Sequence, residues 1–178
     1  AFCLVAAAQA SWCQESQYPN KSIRLVVAFA PGGVADTVAR VVGQKLGDKF
    51  GHPIIVENRG GAAGTVAAKF VASTLPDGYT LLVHTAAIAV NAALSRDTGI
   101  ETMAEFIPIA LAASTPTILV VHASSPAKDL REFIQLSKGK RVNYSSAGVG
   151  TTPHLTGDFL LRSLAGLDAQ HVPFQGGV

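Results

Sequence analysis

The stretch Leu25-Val26-Val27-Ala28-Phe29-Ala30-Pro31-Gly32-Gly33-Val34-Ala35-Asp36-Thr37-Val38-Ala39-Arg40 decides the fold. Leu25, Val26, Val27 and Phe29 read as a buried strand, and Pro31-Gly32-Gly33 reads as a turn. A helix follows, with Val34, Val38, Val41 and Val42 on its apolar side. A strand that turns through glycines into a helix start makes an anion site. Glycine lets the backbone approach a ligand. The first helical N–H groups lack intrahelical partners, and the helix dipole adds partial positive charge there. The turn holds no Lys or Arg and matches neither Gly-x-x-x-x-Gly-Lys-Ser/Thr nor Gly-x-Gly-x-x-Gly, which disfavours a nucleotide phosphate. A small carboxylate held by neutral amides fits better. The plain alternative is a tight βα turn with no ligand.

Outward from this unit, strands keep alternating with helices. Strands are expected at 23–28, 54–56, 80–84, 106–111, 141–145 and 170–174. Residues 117–121 form a further β-branched run between Pro116 and Pro126. Helices are expected at 34–50, 65–75, 86–94, 130–138 and 154–164, with Gly51 stopping the first and Pro153 opening the last. Residues 95–102 read as a polar connector. Residues 58–65 and 145–153 are second and third glycine loops, again at strand carboxyl ends. This pattern indicates an α/β protein with mainly parallel sheets and helices on both faces. Ligands of such sheets bind beyond the carboxyl ends of the strands.

Composition narrows the function. The chain has 178 residues, 48% hydrophobic and 15% charged, with a formal net charge of +2. That is enough for one substantial core, or one domain and part of another. The charge is too mild and too scattered for nucleic acid, with basic residues clustered only at 138–141. No uninterrupted apolar run is long enough to span a bilayer. Residues 1–10, AFCLVAAAQA, read as the back half of a secretory signal peptide with cleavage near Ala10. The alternative is a helix of a larger domain. Cys3 would leave with the signal, and Cys13 would remain alone, free or as a lipidation site behind the bulky Trp12.

Several motifs, in order, resemble one family. They are Tyr18-Pro19, Ala30-Pro31-Gly32-Gly33-x-x-Asp36-x-x-Ala39-Arg40, Val56-Glu57-Asn58-Arg59 and Gly61-Ala62-x-Gly64-Thr65. They continue through Pro76-Asp77-Gly78-Tyr79-Thr80-Leu81-Leu82, Phe106-x-Pro108-Ile109 and Asn143-Tyr144-x-Ser146-x-Gly148-x-Gly150. His154-Leu155 and His171-Val172-Pro173-Phe174 complete the set. Together they resemble the N-terminal part of tripartite tricarboxylate transporter solute-binding proteins, the Bug or TctC-like receptors. The sequence departs from that pattern at Gly60, where a Pro is usual, and at Asn91-Ala92-Ala93-Leu94-Ser95. The resemblance implies a two-lobed Venus flytrap of the type II periplasmic-binding kind. Lobe one would occupy 18–115, and 116–178 would start an incomplete second lobe. It further implies a periplasmic, monomeric receptor that closes on a small carboxylate and delivers it to membrane transporter subunits, with no cofactor, no metal and no catalytic residues.

Carried onto this chain, the resemblance places the ligand against 30–34 in lobe one and 145–151 in lobe two. The candidate contacts are Phe29, Ala30, Gly32, Gly33, Val34, Gly64, Thr65, Thr85, Ser145, Ser146, Gly148, Gly150, Thr151 and His154. Thr65, Thr85, Ser146 and Thr151 would be the hydroxyl donors. Phe29 reads either as pocket wall or as core, and His154 either as an anion donor or as a packing histidine. Asp36 would repel an anion if it faced one, so it reads as a cap on local amides, with Arg40 and Arg59 as structural ion-pair partners near the site. His84, His122 and His171 are isolated in sequence and read as non-ligands. An enzyme is the main rival. A serine hydrolase would want Gly-x-Ser-x-Gly, which is absent, and no Cys/His cluster has metal spacing. A receptor that signals to a membrane sensor kinase is the second rival.

Overall fold

The structure, a computed structural model, describes residues 18–94 and 103–174. The expected signal peptide at 1–10, Cys13, the connector at 95–102 and the glycines at 176–177 lie outside the described residues.

Two parallel sheets organise the described residues. The first has the order β2-β1-β3, built from β1 (Ile23–Val27), β2 (Ile54–Asn58) and β3 (Thr80–Val83). The register pairs Leu25 with Val56 and with Leu81. The second pairs β4 (Arg141–Ser146) with β5 (Asp168–Pro173), Tyr144 opposite His171. Helix α1 (Val34–Phe50) follows β1, and α2 (Thr65–Ala72) follows β2 after a single 3-10 turn, Ala62–Gly64. Helix α3 (Ala87–Leu94) follows β3, and α4 (Leu130–Ser137) precedes β4. Helix α5 (Thr152–Asp158) connects β4 to β5, widening into a π-helical turn at Phe159–Leu164. No helix among the described residues is long and apolar enough to cross a membrane.

Strand β1 is sealed on both faces, because alternate side chains point to opposite sides. Val26 and Ala28 join Ala67, Phe70 and Val71 of α2 and Ala87 of α3. Leu25 faces α1, where a Cβ at Gly43 would lie 3.4 Å from Leu25 and 3.2 Å from Ile54. Small residues therefore bring α1 close to the sheet. This corrects in part the apolar side expected for that helix: Ala39 and Gly43 are buried and Val38 and Val42 half-buried, while Val34 and Val41 are 60% and 58% exposed. The second sheet is covered differently. Tyr144, Leu161, Leu167 and Ala169 form its core with Phe133 of α4. Arg141, Asn143 and Ser145 on the other face of β4 are exposed, so among the described residues helices cover one face there.

The strand expected at 106–111 does not form, and the β-branched run 117–121 forms none either. Residues 106–111 and 117–121 have no regular secondary structure and belong to neither sheet. Ile107, Ile109, Leu111, Ile118 and Val120 are exposed. β-Branched composition suits a strand, but a strand also needs a neighbour to bond, and no described strand runs beside these segments. Smaller differences are at element ends. Helix α2 stops at Ala72, and α5 begins at Thr152, placing Pro153 in its first turn.

Candidate functional site

The three glycine loops meet at the carboxyl ends of the strands. A Cβ on Gly60 would lie 3.5 Å from the Ala30 nitrogen, so loops one and two touch. The Asn91 side chain on α3 donates to the Ala63 carbonyl of loop two at 3.1 Å. A Cβ on Gly150 would lie 2.7 Å from Asn91 Oδ1, so loop three meets the same asparagine. Asn91 thus stands between the two sheets' loops. Its role was not read from the sequence, although the motif region that contains it was noted.

Loop one is held by Asp36. Its Oδ2 accepts from the Gly32 amide at 3.0 Å and from Arg40 Nε at 2.9 Å. Its Oδ1 accepts from Asn58 Nδ2 at 2.9 Å, and the same Nδ2 donates to the Phe29 carbonyl at 3.1 Å. The Arg40 hydrogen bond, followed by that from Gly32, holds the Asp36 carboxyl well below its ordinary value despite burial. Asp36 is therefore a cap facing inward on the loop, as its sequence context indicates. The capping engages the Gly32 amide, so that amide is withdrawn from the expected ligand set. Gly33, the N-cap of α1, has no side-chain cap, and the amides of the first turn keep the open geometry of a helix start. Phe29 lies in the first core and packs edge-on against His84 at 5.5 Å, which makes it core rather than pocket wall. Arg59 pairs with Glu57 and stacks over the Phe70 ring at 3.5 Å.

Loop two is a strained turn. Ala62 and Ala63 have φ of 45° and 51°, a region that costs roughly 1–2 kcal/mol per non-glycine residue. Gly64, at φ 93°, has no room for a side chain: a Cβ would lie 2.1 Å from His84 Nε2 and 3.0 Å from the Ala28 Cβ. Among the described residues, His84 Nε2 is buried without a hydrogen-bond partner. Burial pushes His84 below its ordinary value, opposed by the backbone of Thr85 and Gly64. Thr65 is buried at the start of α2, while Thr85 is exposed and its hydroxyl accepts from the Ala87 amide.

Loop three is closed on itself. The Thr151 hydroxyl donates to the Gly148 carbonyl at 2.7 Å, and the Thr151 amide does so at 3.3 Å. Ser146 Oγ accepts from the Gly148 amide at 3.2 Å and lies 2.7 Å from His171 Nε2. The Gly150 amide donates to His154 Nδ1 at 3.2 Å. The rings of His154 and His171 stack at 4.0 Å, and Tyr144 lies 5.1 Å from His171. Burial, then the neighbouring His154, push His171 below its ordinary value, against Asp158. Two expected ligand hydroxyls, Ser146 and Thr151, are therefore engaged within the loop, and Ser145 points to the open face of β4. His171, read as isolated, belongs to this cluster. The parallel pairing of β4 with β5 brings it there, which its place in the sequence does not reveal. Among the described residues, no group of three His, Cys, Asp or Glu is placed to hold a metal ion. Two clefts lie elsewhere, one along α4 at Arg131 and Glu132, the other around Lys21, Asp77 and Tyr79.

The sequence profile described as "Tripartite tricarboxylate transporter family receptor" matches residues 38–178. The chain belongs to this family. A UPF0065 protein of Bordetella pertussis is 36% identical over 172 residues, covering 94% of this chain and 52% of its own length. The receptor-family fold is shared with the periplasmic binding protein BugD, at a TM-score of 0.75 and 30% identity, over 89% of this chain and 54% of BugD. MatC of Rhodopseudomonas palustris, solved with bound malate, matches at a TM-score of 0.73 and 34% identity, over 89% of this chain and 55% of MatC. These neighbours are periplasmic-binding-type α/β proteins, and the chain spans about half the length of the relatives it matches.

Proposed function

We propose that the full-length protein is a periplasmic solute-binding receptor that captures a small carboxylate and presents it to the membrane subunits of a tripartite tricarboxylate-type transporter. The carrying observation is the convergence of loop one, loop two and loop three at the strand ends, with the uncapped start of α1 among them. An anion there receives charge-assisted hydrogen bonds from the first-turn amides of α1 and completes the contact with the second sheet's loops. The ligand favours closure by binding the closed state more tightly than the open one. Membership of the receptor family and the malate seen in MatC support a carboxylate. The protein acts as a monomer without a metal or cofactor, and secretion by a signal peptide ending near Ala10 delivers it to the periplasm.

Catalysis is the weaker reading. Ser146 does meet a histidine, His171, but its oxygen is already tied to the Gly148 backbone, which leaves it poorly placed as a nucleophile. The test is thermal unfolding of the full-length protein against mono-, di- and tricarboxylates, malate included, each beside its neutral amide. A ligand at 100 times its dissociation constant adds about 2.7 kcal/mol. Stabilisation by an acid but not by its amide supports the reading, and stabilisation by neutral or cationic compounds alone overturns it.

A further inference from the structure

We infer that His154, its Nδ1 accepting from the Gly150 amide and its Nε2–H left to donate, supplies the charge-reading hydrogen bond of the second sheet's loops to the bound carboxylate. The inference rests on the carboxylate-receptor reading above and says which group does the work.

The loop's own hydrogen bonds narrow the choice of donor first. A glycine loop before a helix ordinarily offers its amides to an anion. Here the Gly148 amide is bound to Ser146 Oγ, the Gly150 amide to His154 Nδ1, and the Thr151 amide to the Gly148 carbonyl. The Thr151 hydroxyl donates to that same carbonyl, and the Ser146 hydroxyl lies between it and His171 Nε2. Of the side chains expected to bind, Ser146 and Thr151 are thus holding the loop's shape, and Ser145 lies on the exposed face of β4.

The tautomer carries it second. A neutral imidazole has one donor nitrogen and one acceptor nitrogen. Because His154 Nδ1 accepts from the Gly150 amide, the ring proton sits on Nε2. Among the described residues that Nε2–H has no hydrogen-bond partner, and it is not sealed from solvent as His84 Nε2 is. Stacking on His171 at 4.0 Å fixes the ring plane, and the Gly150 bond fixes its rotation. A donor so constrained is set in advance of the ligand. Gly150 also contacts Asn91, so the backbone that orients His154 is the backbone that meets the first sheet's helix α3. The loop contact between the sheets and the aim of the donor are therefore coupled.

Two variants of the full-length protein separate the roles, with malate as probe and the carboxylate panel behind it. His154→Asn keeps an oxygen where Nδ1 was, so Gly150 stays bound, but it removes the Nε2–H. His154→Gln keeps a donor near Nε2 and gives up the Gly150 acceptor. Loss of one charge-assisted hydrogen bond is expected to weaken carboxylate binding at least about tenfold in His154→Asn, with an unchanged circular dichroism spectrum. His154→Gln is expected to bind more tightly than His154→Asn. The neutral amide of the same acid, which offers a carbonyl oxygen but no charge, should lose less affinity in His154→Asn than the acid does. A two-bond nitrogen–proton correlation spectrum of the free protein should show His154 protonated on Nε2. Wild-type affinity in His154→Asn, or a proton on Nδ1, overturns the inference while leaving the receptor reading intact. If no carboxylate stabilises the wild type, the receptor reading fails and the inference fails with it.

Discussion

Asp36→Asn removes one charge and almost no volume, yet it should unlock loop one. All three partners of the carboxylate are donors: the Gly32 amide, Arg40 Nε and Asn58 Nδ2. Asparagine brings one acceptor oxygen and one NH2 group. If its oxygen stays with Gly32 and Arg40, its NH2 faces the NH2 of Asn58. If Asn58 turns over to relieve that, its own oxygen meets the Phe29 carbonyl in place of the present 3.1 Å hydrogen bond. Either arrangement leaves a polar group unpaired beside a side chain only 5% exposed, which costs roughly 1–3 kcal/mol. The Gly32 bond also falls from charge-assisted to neutral, roughly 1 kcal/mol more. Arg40 is 55% exposed and its pairing is left out of the sum. Relief of the buried charge returns part of the loss, so the expected net effect is about 2 kcal/mol. At a urea slope of about 2 kcal/mol/M, the midpoint falls by roughly 1 M. The pH dependence has a definite sign. Asp36 is more acidic folded than unfolded, so its stabilisation is present above the unfolded value and is lost as pH falls through the folded one. The gap between wild type and Asp36→Asn should therefore narrow from pH 7 toward pH 3. A loss below about 0.5 kcal/mol at pH 7, typical of a plain surface site, or a gap that widens in acid, refutes the capping argument.

Three further outcomes are expected. Gly64→Ala should cost about 2–4 kcal/mol, from a positive φ and from a Cβ driven into His84 Nε2, in urea unfolding; in a His84→Ala background the cost should shrink, and equal costs in both backgrounds would show that His84 is not the obstacle. Gly150→Ala, at φ 81° with Asn91 Oδ1 2.7 Å from the new Cβ, should weaken carboxylate binding by calorimetry more than it lowers the unfolding midpoint, and the reverse order would detach this contact from the site. His84 and His171 both sit below their ordinary value, so the folded state takes up protons less readily than the unfolded one. Stability should be full above the unfolded value of about 6.5 and fall as pH drops below it, and a thermal midpoint flat from pH 7.5 to 5 would contradict their burial.

Much of the frame is legible in the sequence because local chemistry decides it. Helix α1 runs from Val34 to Phe50 as read, with glycines at its two ends, and three strands of the first sheet lie where apolar runs meet turn residues. The failures are non-local. Residues 106–111 and 117–121 have strand composition, but a ladder depends on a neighbour that composition does not specify. Val34 and Val41 look like the packing stripe of α1, yet Gly43 against Leu25 and Ile54 shows that closeness, not bulk, selects the packed side. The site divides the same way. Glycine loops at strand ends announce where an anion can bind. Which donors remain open depends on hydrogen bonds closed in three dimensions, such as Ser146 with His171, 25 residues apart. Asp36 was readable because its partners Gly32 and Arg40 are each four residues away.

The most direct test of the central claim is a crystal structure of the full-length protein with the carboxylate that stabilises it most. The expected result is an acid group within hydrogen-bond distance of the first-turn amides of α1 on one side and of His154 Nε2 or the remaining loop-three amides on the other, with Asp36 still capping Gly32. An acid bound away from loops one and three, or held by arginine side chains with the start of α1 empty, would contradict it.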